Sequence, residues 1–428
     1  MASFHVHNFG CRASQADGAA IESGLIREGL QPAANRSDAQ LVVLNSCTVT
    51  ALADEDVRKT VHRVHRENPS ARILVTGCYA QRAPEELSVL PGVYWVVGNS
   101  HKTRIPEIVR EHEAHYHGEI HVGDIFAQHD FLSAPVEDAA GDRTRPNLKI
   151  QDGCNNRCSF CIIPFVRGRS RSAPTDQVVA QVRDLADRYR EVVLSGINLG
   201  RWGREPGSTM RLSDLIRRLL DETPIERLRL SSVEPMDWSD DLLGLVAASG
   251  RIAKHVHAPL QSGSDRVLRR MHRKYRPRHY EERVLKARAW MPDAAIGADV
   301  MTGFPGETDA EFEETRAFIE RLPFTYLHVF TYSERPGTPA ASSEQVPMEV
   351  RRDRNRILRE LATAKNLEFR RQMIGRTLSV VTLTEGALSD NFLKVELAAP
   401  RPANQLVDVR IGSVSTNGLR EYGALTVL

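Results

Sequence analysis

Six cysteines stand in a chain of 428 residues, and their spacing is where chemistry is legible. Three of them lie in Cys154-Asn155-Asn156-Arg157-Cys158-Ser159-Phe160-Cys161, a C-x3-C-x2-C run directly after a predicted strand. Three thiolates on one short loop suit a four-iron, four-sulfur cube, each soft sulfur holding one iron. The loop offers no fourth cysteine, so one iron stays open to an incoming ligand. Structural zinc, the alternative, wants four closed ligands and paired C-x2-C steps. Here one such step exists, and no histidine follows within about ten residues.

The other three, Cys11, Cys47 and Cys78, are far apart in sequence, yet each falls within a few residues of the end of a predicted parallel strand. In a doubly wound sheet those carboxyl ends face a common crevice, so the three thiols can converge there. A buried cysteine is often just a small apolar residue. Three in equivalent positions favour a second cluster.

The elements that must position these loops follow from hydrophobic periodicity. Candidate strands are Phe4–Asn8, Leu41–Leu44, Arg72–Thr76 and Val93–Val97. Between them run a helix over Ser14–Glu28, with Ser14 as N-cap, and another through Val57, Val61 and Val64. This order predicts a doubly wound parallel sheet over residues 2–115. Residues 116–145 lack periodicity and read as a linker. From 146 to 372 the alternation resumes, with strands at Leu148–Gln151, Val192–Ser195, Leu228–Ser231, His255–Leu260, Ile296–Met301 and Tyr326–Tyr332. Six β/α units predict a partial (β/α)6 barrel, closed off by a long basic helix over Pro347–Gln372. Residues 373–428 carry short β-rich runs between Gly, Asn, Asp and Pro, the pattern of a small antiparallel β-barrel. The fold class expected is therefore α/β with a small C-terminal β-barrel.

A composition of 41% hydrophobic and 26% charged residues excludes a disordered chain, and a net charge of +2 says little about partners. The distribution says more. Arg266 to Arg278 carries seven cationic side chains and no acid, and Arg167, Arg169 and Arg171 cluster beside the cysteine loop. Such patches can neutralise nucleic-acid phosphates, or simply be solvated surface. No apolar run approaches membrane-spanning length, and the first residues do not resemble a secretory signal. The expectation is a cytoplasmic protein with no membrane association, kept in a reducing compartment.

The chain resembles the radical-SAM methylthiotransferases over nearly its whole length. The resemblance rests on FGCRASQADG, NSCTVTALAD and VTGCYAQRAPEEL in the first domain and GCNNRCSFCIIPFVRGRSRS at the cluster loop. It continues through LSGINLG, SSVEP, HAPLQSGSDRVLRRMHRKY, DVMTGFPGET and HVFTYSERPGTPA. It implies that Cys154, Cys158 and Cys161 hold a radical-SAM 4Fe-4S cluster that cleaves S-adenosylmethionine. It also implies that Cys11, Cys47 and Cys78 hold an auxiliary 4Fe-4S cluster carrying the sulfur to be inserted. Phe160, Ser195, Gly196, Glu234, Gln261 and Gly303 are implied to line the S-adenosylmethionine pocket. The tail is similar to the RNA-binding TRAM domain, and Arg167, Arg169, Arg171, Arg270, Arg273 and Lys274 are the implied tRNA contacts.

The Cys-Thr-Val-Thr after Asn45-Ser46 resembles the branch acting on N6-threonylcarbamoyladenosine at tRNA position 37, where sulfur and a methyl group enter at adenine carbon 2. The sister branches modify isopentenyladenosine in tRNA or an aspartate of a ribosomal protein. The implied partners are the tRNA anticodon stem-loop and an electron donor such as flavodoxin or ferredoxin, with the chain acting as a monomer. A reading from another class is a non-catalytic iron–sulfur or zinc protein that binds RNA.

Overall fold

The computed structural model describes residues 3–111, 118–128, 131 and 144–423. Contacts divide the chain into two compact units. The first comprises residues 1–137, 149–173 and 333–341, and the second residues 138–148, 174–332 and 342–428.

In the first unit, six strands form one sheet: β1 (Ser3–Asn8), β2 (Gln31–Pro32), β3 (Leu41–Ser46), β4 (Arg72–Gly77), β5 (Val93–Gly98) and β6 (Glu119–His121). They lie in the order β2-β1-β3-β4-β5-β6, all pairs parallel. Connecting helices are α1 (Arg12–Arg27), α2 (Ala51–Glu67), α3 (Cys78–Arg82), α4 (Pro84–Ser88) and α5 (Ile105–Glu111). Because side chains alternate along a strand, Val42, Leu44, Ile73 and Val75 share one core with Val57, Val61 and Val64 of α2. Leu41, Val43 and Leu74 share the other with Ile21 and Leu25 of α1 and Ile105 and Ile108 of α5. Both faces are covered, as a parallel sheet requires.

Two expectations change here. The stretch read as linker supplies β6, whose backbone continues the ladder from Trp95, Val96 and Val97. Three residues are too few for a periodicity signal. Helix α1 starts at Arg12, with Cys11 rather than Ser14 at its N-cap. Ser14 is buried inside the helix, and its hydroxyl serves the site described below.

Also in this unit, the part of β7 (Asn147–Asp152) from Lys149 onward pairs antiparallel with the short β8 (Arg171–Ser172) through Gln151 and Asp152. The cysteine loop and α6 (Ile163–Arg167) lie between them.

The second unit contains the rest of the β/α repeat and the C-terminal barrel. Strands β9 (Glu191–Gly196) and β10 (Arg227–Leu230) are parallel neighbours, as are β11 (His255–His257), β12 (Ala295–Thr302) and β13 (Tyr326–Thr331). Strand β11 stops short of the expected Leu260 because Pro259 has no N–H for the ladder. The helices are α7 (Thr175–Ala186), α8 (Leu212–Glu222), α9 (Asp240–Ala248), α10 (Asp265–Arg270), α11 (Pro277–Trp290), α12 (Asp309–Arg321) and the long α13 (Met348–Gln372). A closed barrel follows, of β14 (Thr377–Thr382), β15 (Ala387–Ser389), β16 (Lys394–Glu396), β17 (Leu406–Val414) and β18 (Leu419–Glu421), ordered β14-β15-β16-β18-β17. It is antiparallel except where β16 meets β18. Val380, Val395, Val409 and Leu419 fill its core together with Phe369 and Met373 at the end of α13.

Candidate functional site

The sheet register of the first unit sets the N-terminal cysteines. Asn8 pairs with Asn45 and Ser46 with Gly77, so β1, β3 and β4 end nearly level. Cys47 and Cys78 each follow the last paired residue directly, and Cys11 follows β1 by three. Cys47 and Cys78 are buried and Cys11 is exposed. Gly10 has φ +79, and a Cβ there would lie 2.7 Å from both the Cβ and the Sγ of Cys47. The turn before Cys11 is thus pressed against the Cys47 sulfur, which only glycine permits.

Burial, with the nearby sulfurs of Cys78 and Cys11 adding to it, pushes the Cys47 thiol up to about 12. Three thiolates could not share this pocket without a cation among them. Thiolate is the form that binds metal, so the donor set suits a cationic iron–sulfur core. The unit also gathers positive charge here. Arg167, at the end of α6, is buried, 1% exposed. Its guanidinium donates to Asp17 and Asp152, each at 3.0 Å, and to Ser14 Oγ at 3.3 Å. That hydroxyl lies 3.7 Å from Cys11 Sγ. Asn99 donates to Cys78 Sγ at 3.6 Å and to the Val166 carbonyl at 2.7 Å.

Cys154, Cys158 and Cys161 are half-buried on the loop between β7 and α6. The Cys154 amide donates to Gly168 O at 3.1 Å, the Cys161 amide to Cys158 O at 3.1 Å, and the Asn156 amide to Cys154 Sγ at 3.4 Å. The loop is therefore curled on its own backbone. Residues 333–341 strap both cysteine regions. Arg335 donates to Thr48 O at 2.9 Å and to Asp54 at 2.8 Å, just past Cys47. The Ala340 amide donates to Ser159 O at 2.9 Å, inside the second cysteine loop.

Phe160 is half-buried on that loop. In the second unit, Ser195 is buried at the end of β9 with half-buried Gly196 beside it. Gln261 is buried, adopts φ +64, and its side-chain oxygen has no hydrogen-bond partner among the described residues. A left-handed non-glycine with an unsatisfied buried acceptor is the kind of strain that marks a ligand site. The Gly303 amide donates to Glu307 at 2.8 Å, and Glu307 is held by Arg354 at 2.7 Å. Glu234 is engaged by Arg273 at 2.5 Å.

The arginines expected at tRNA phosphates divide. Arg167 and Arg273 are buried and committed to carboxylates, so neither offers charge to a phosphate. Arg270 is held by Glu311 at 2.7 Å, and Arg171 lies 3.5 Å from Asp152. Arg169 and Lys274 are exposed. An arginine run on a helix looks alike in sequence whether it faces water or an acid.

Asp152, Lys102, Lys149 and Arg335 are not marked as site residues by the sequence motifs, and Asp17 stands out there only as the third residue after the expected N-cap Ser14. The signal available was Lys149 and Asp152 in the strand LKIQD, where a charge that is buried needs a partner. A further polar row crosses β11–β13. Tyr326 Oη lies 2.6 Å from His255 Nε2 and 2.7 Å from His257 Nδ1, and Asp299 lies 3.2 Å from both His257 and His328. These histidines hold the Asp299 carboxyl below the usual range against the effect of its burial.

Residues 148–319 match the Radical SAM superfamily and residues 3–98 match a family described as Uncharacterized protein family UPF0004. Fold and sequence thus define a radical SAM protein. The chain is 36% identical to the threonylcarbamoyladenosine tRNA methylthiotransferase MtaB of Aquifex aeolicus, over 94% of this chain and 98% of that protein. It is 34% identical to the tRNA-2-methylthio-N(6)-dimethylallyladenosine synthase of Sphingopyxis alaskensis, over 97% and 96%. Among solved structures it is similar to the radical S-adenosylmethionine methyltransferase TsrM of Kitasatospora setae. That likeness has a TM-score of 0.58 and 17% identity, and covers 79% of this chain and 76% of that one. The chain belongs to the radical SAM methylthiotransferase family, and is an enzyme that transfers a sulfur-containing group. No described helix is long and apolar enough to cross a membrane.

Proposed function

We propose that this enzyme inserts sulfur and a methyl group at adenine carbon 2 of N6-threonylcarbamoyladenosine in the anticodon loop of tRNA. The observation that carries the reading is the pair of three-thiol sites in one compact unit, in a chain aligned end to end with a relative named for that substrate. Cys154, Cys158 and Cys161 would hold one 4Fe-4S cluster and Cys11, Cys47 and Cys78 another, each leaving one iron without a protein thiolate. With S-adenosylmethionine bound, the clusters supply the radical and sulfur-transfer chemistry, because an aryl C–H is too weakly acidic for any side-chain base.

The chain's own residues bind and orient. Within the second unit, Ser195, Gly196, Glu234, Gln261 and Gly303 are proposed to bind S-adenosylmethionine, with the unsatisfied Gln261 oxygen as a polar anchor. Arg169 and Lys274 keep exposed charge for tRNA phosphates, and residues 373–428, whose barrel strands run from Thr377 to Glu421, are proposed as a TRAM-like RNA-binding domain. Residues 2–115 and 146–372 would be the auxiliary-cluster and radical-SAM domains. A flavodoxin or ferredoxin would donate the electron to a cytoplasmic monomer.

The test is deletion of the gene followed by mass spectrometry of tRNA nucleosides. Methylthio-threonylcarbamoyladenosine should disappear while its unthiolated precursor accumulates. Loss on dimethylallyladenosine instead would assign the sister branch, and unaltered tRNA would overturn a tRNA substrate.

The cradle at Gly10 gives a second expectation. Gly10→Ala forces a methyl against the Cys47 sulfur, so iron per anaerobically reconstituted chain should fall from roughly eight to roughly four. Full loading would mean that this turn does not define the site.

A further inference from the structure

Beside the cysteine sites lies a buried set of charges that does not neutralise itself. Lys102, Lys149, Arg167 and Arg171 have side chains between 1% and 11% exposed, and they are paired with Asp17 and Asp152. Among the described residues, four cations against two carboxylates leave an excess of two positive charges. Burying an uncompensated ion costs several kcal/mol, so a fold that keeps this excess needs an anion in contact with it.

The contacts say where that anion sits. Arg167 reaches Ser14 Oγ, which touches Cys11 Sγ. Asn99 joins Cys78 Sγ to the backbone of α6, and Cys78 packs on Ile162 and Val166 of the same segment. Lys102 donates to Asp17 at 3.0 Å and to Asn45 Oδ1 at 3.3 Å, two residues before Cys47. The excess therefore adjoins the N-terminal trio. Three thiolates around an oxidised four-iron cube carry a net charge of about −1, and one electron takes this to about −2.

We propose that Arg167 and Lys102 are positioning residues for a cluster on Cys11, Cys47 and Cys78, balancing its charge and raising its reduction potential. Arg167 stands six residues after Cys161. The loop that holds one cysteine trio thus supplies the counter-charge of the other. Buried positive charge favours the more negative, reduced form of the cluster, and the low effective dielectric around it strengthens the effect. The proposal rests on the reading that this trio binds a cluster at all.

The test uses full-length protein with Cys154, Cys158 and Cys161 changed to alanine, so that one cluster remains, reconstituted anaerobically and titrated by electron paramagnetic resonance against redox mediators. Arg167→Gln should lower the ratio of reduced to oxidised cluster about tenfold at fixed solution potential, ~59 mV for one electron. Lys102→Gln should move it the same way, and Arg167→Lys should stay within about twofold of the parent. A parent protein without iron would refute the cluster reading itself. Iron-loaded Gln variants with the parental ratio would refute this inference alone. Loss of iron in both Arg167→Gln and Arg167→Lys would also overturn it, because shape rather than charge would then be what the site needs.

Discussion

Replacing Cys47 with alanine is expected to abolish methylthio transfer while leaving slow cleavage of S-adenosylmethionine. The loss should be on the order of 10³-fold or more, about 4 kcal/mol of transition-state stabilisation. The argument is positional. Cys47 follows Ser46, whose register partner Gly77 precedes Cys78, so this sulfur has one neighbour fixed by the sheet and another, Cys11, held by the turn at Gly10. All six cysteines belong to the two trios, so no spare thiolate is at hand, and among the described residues the polar side chains touching a sulfur of this trio include the hydroxyl of Ser14 and the amide of Asn99. Removing one small sulfur from a packed sheet end costs about 1 kcal/mol and leaves the fold standing. The second cysteine loop is curled on its own backbone hydrogen bonds, so its chemistry should persist. Chromatography of deoxyadenosine and mass spectrometry of tRNA read the two activities separately. Cys158→Ala should lose both. Sulfur insertion surviving in the Cys47 variant would show that the N-terminal trio is not the sulfur site.

The parts of this molecule that were legible in sequence share a property: each is written by local pattern. Parallel strands of four or five apolar residues stand out, and three cysteines at three strand ends imply a common crevice. The strand β6 and the charges around the trios were not legible for the opposite reason. Glu119–His121 is extended only because β5 offers it a free edge. Asp17 meets Lys102, Lys149 and Arg167 across sequence separations of 85, 132 and 150 residues. No window along the chain contains that pairing. Arg167 is the clearest case. Its neighbours Gly168, Arg169, Ser170 and Arg171 read as a basic surface loop, and only the fold shows that its guanidinium is buried against two aspartates. Gln261 is legible in sequence through its motif HAPLQSGSD, which places a polar side chain after an expected apolar strand, but its left-handed backbone is a tertiary fact.

Changing Asp17 to asparagine should be the most damaging substitution to stability in the first unit. Its carboxylate is buried and receives Lys102 and Arg167 at 3.0 Å each, and Lys149 as well. An amide of the same shape leaves three cations without their shared partner. Breaking a buried ion pair costs about 3–5 kcal/mol, a large part of the 5–15 kcal/mol that typically holds a domain together. Soluble yield should drop, and backbone amides of β1 and α1 should exchange with deuterium far faster. The double variant Asp17→Asn with Lys102→Met should recover part of the loss, since it removes one of the stranded charges. If the single variant is as protected as the parent, the aspartate is not the keystone of the cluster. Acid gives a second test with the same pair of proteins. Burial alone would raise the Asp17 pKa, but Lys102, Lys149 and Arg167 outweigh it and hold the carboxyl below the ordinary carboxylate range. A depressed folded-state pKa stabilises the fold at any pH above the unfolded value of about 3.9, and the contribution is lost as pH falls through the folded value. The parent should therefore lose stability below about pH 4 more steeply than the Asp17→Asn protein, whose remaining stability should be flatter across that window. Identical acid limbs in equilibrium denaturation would show that Asp17 is not charged in the native protein, and the surplus of buried positive charge would then be three rather than two.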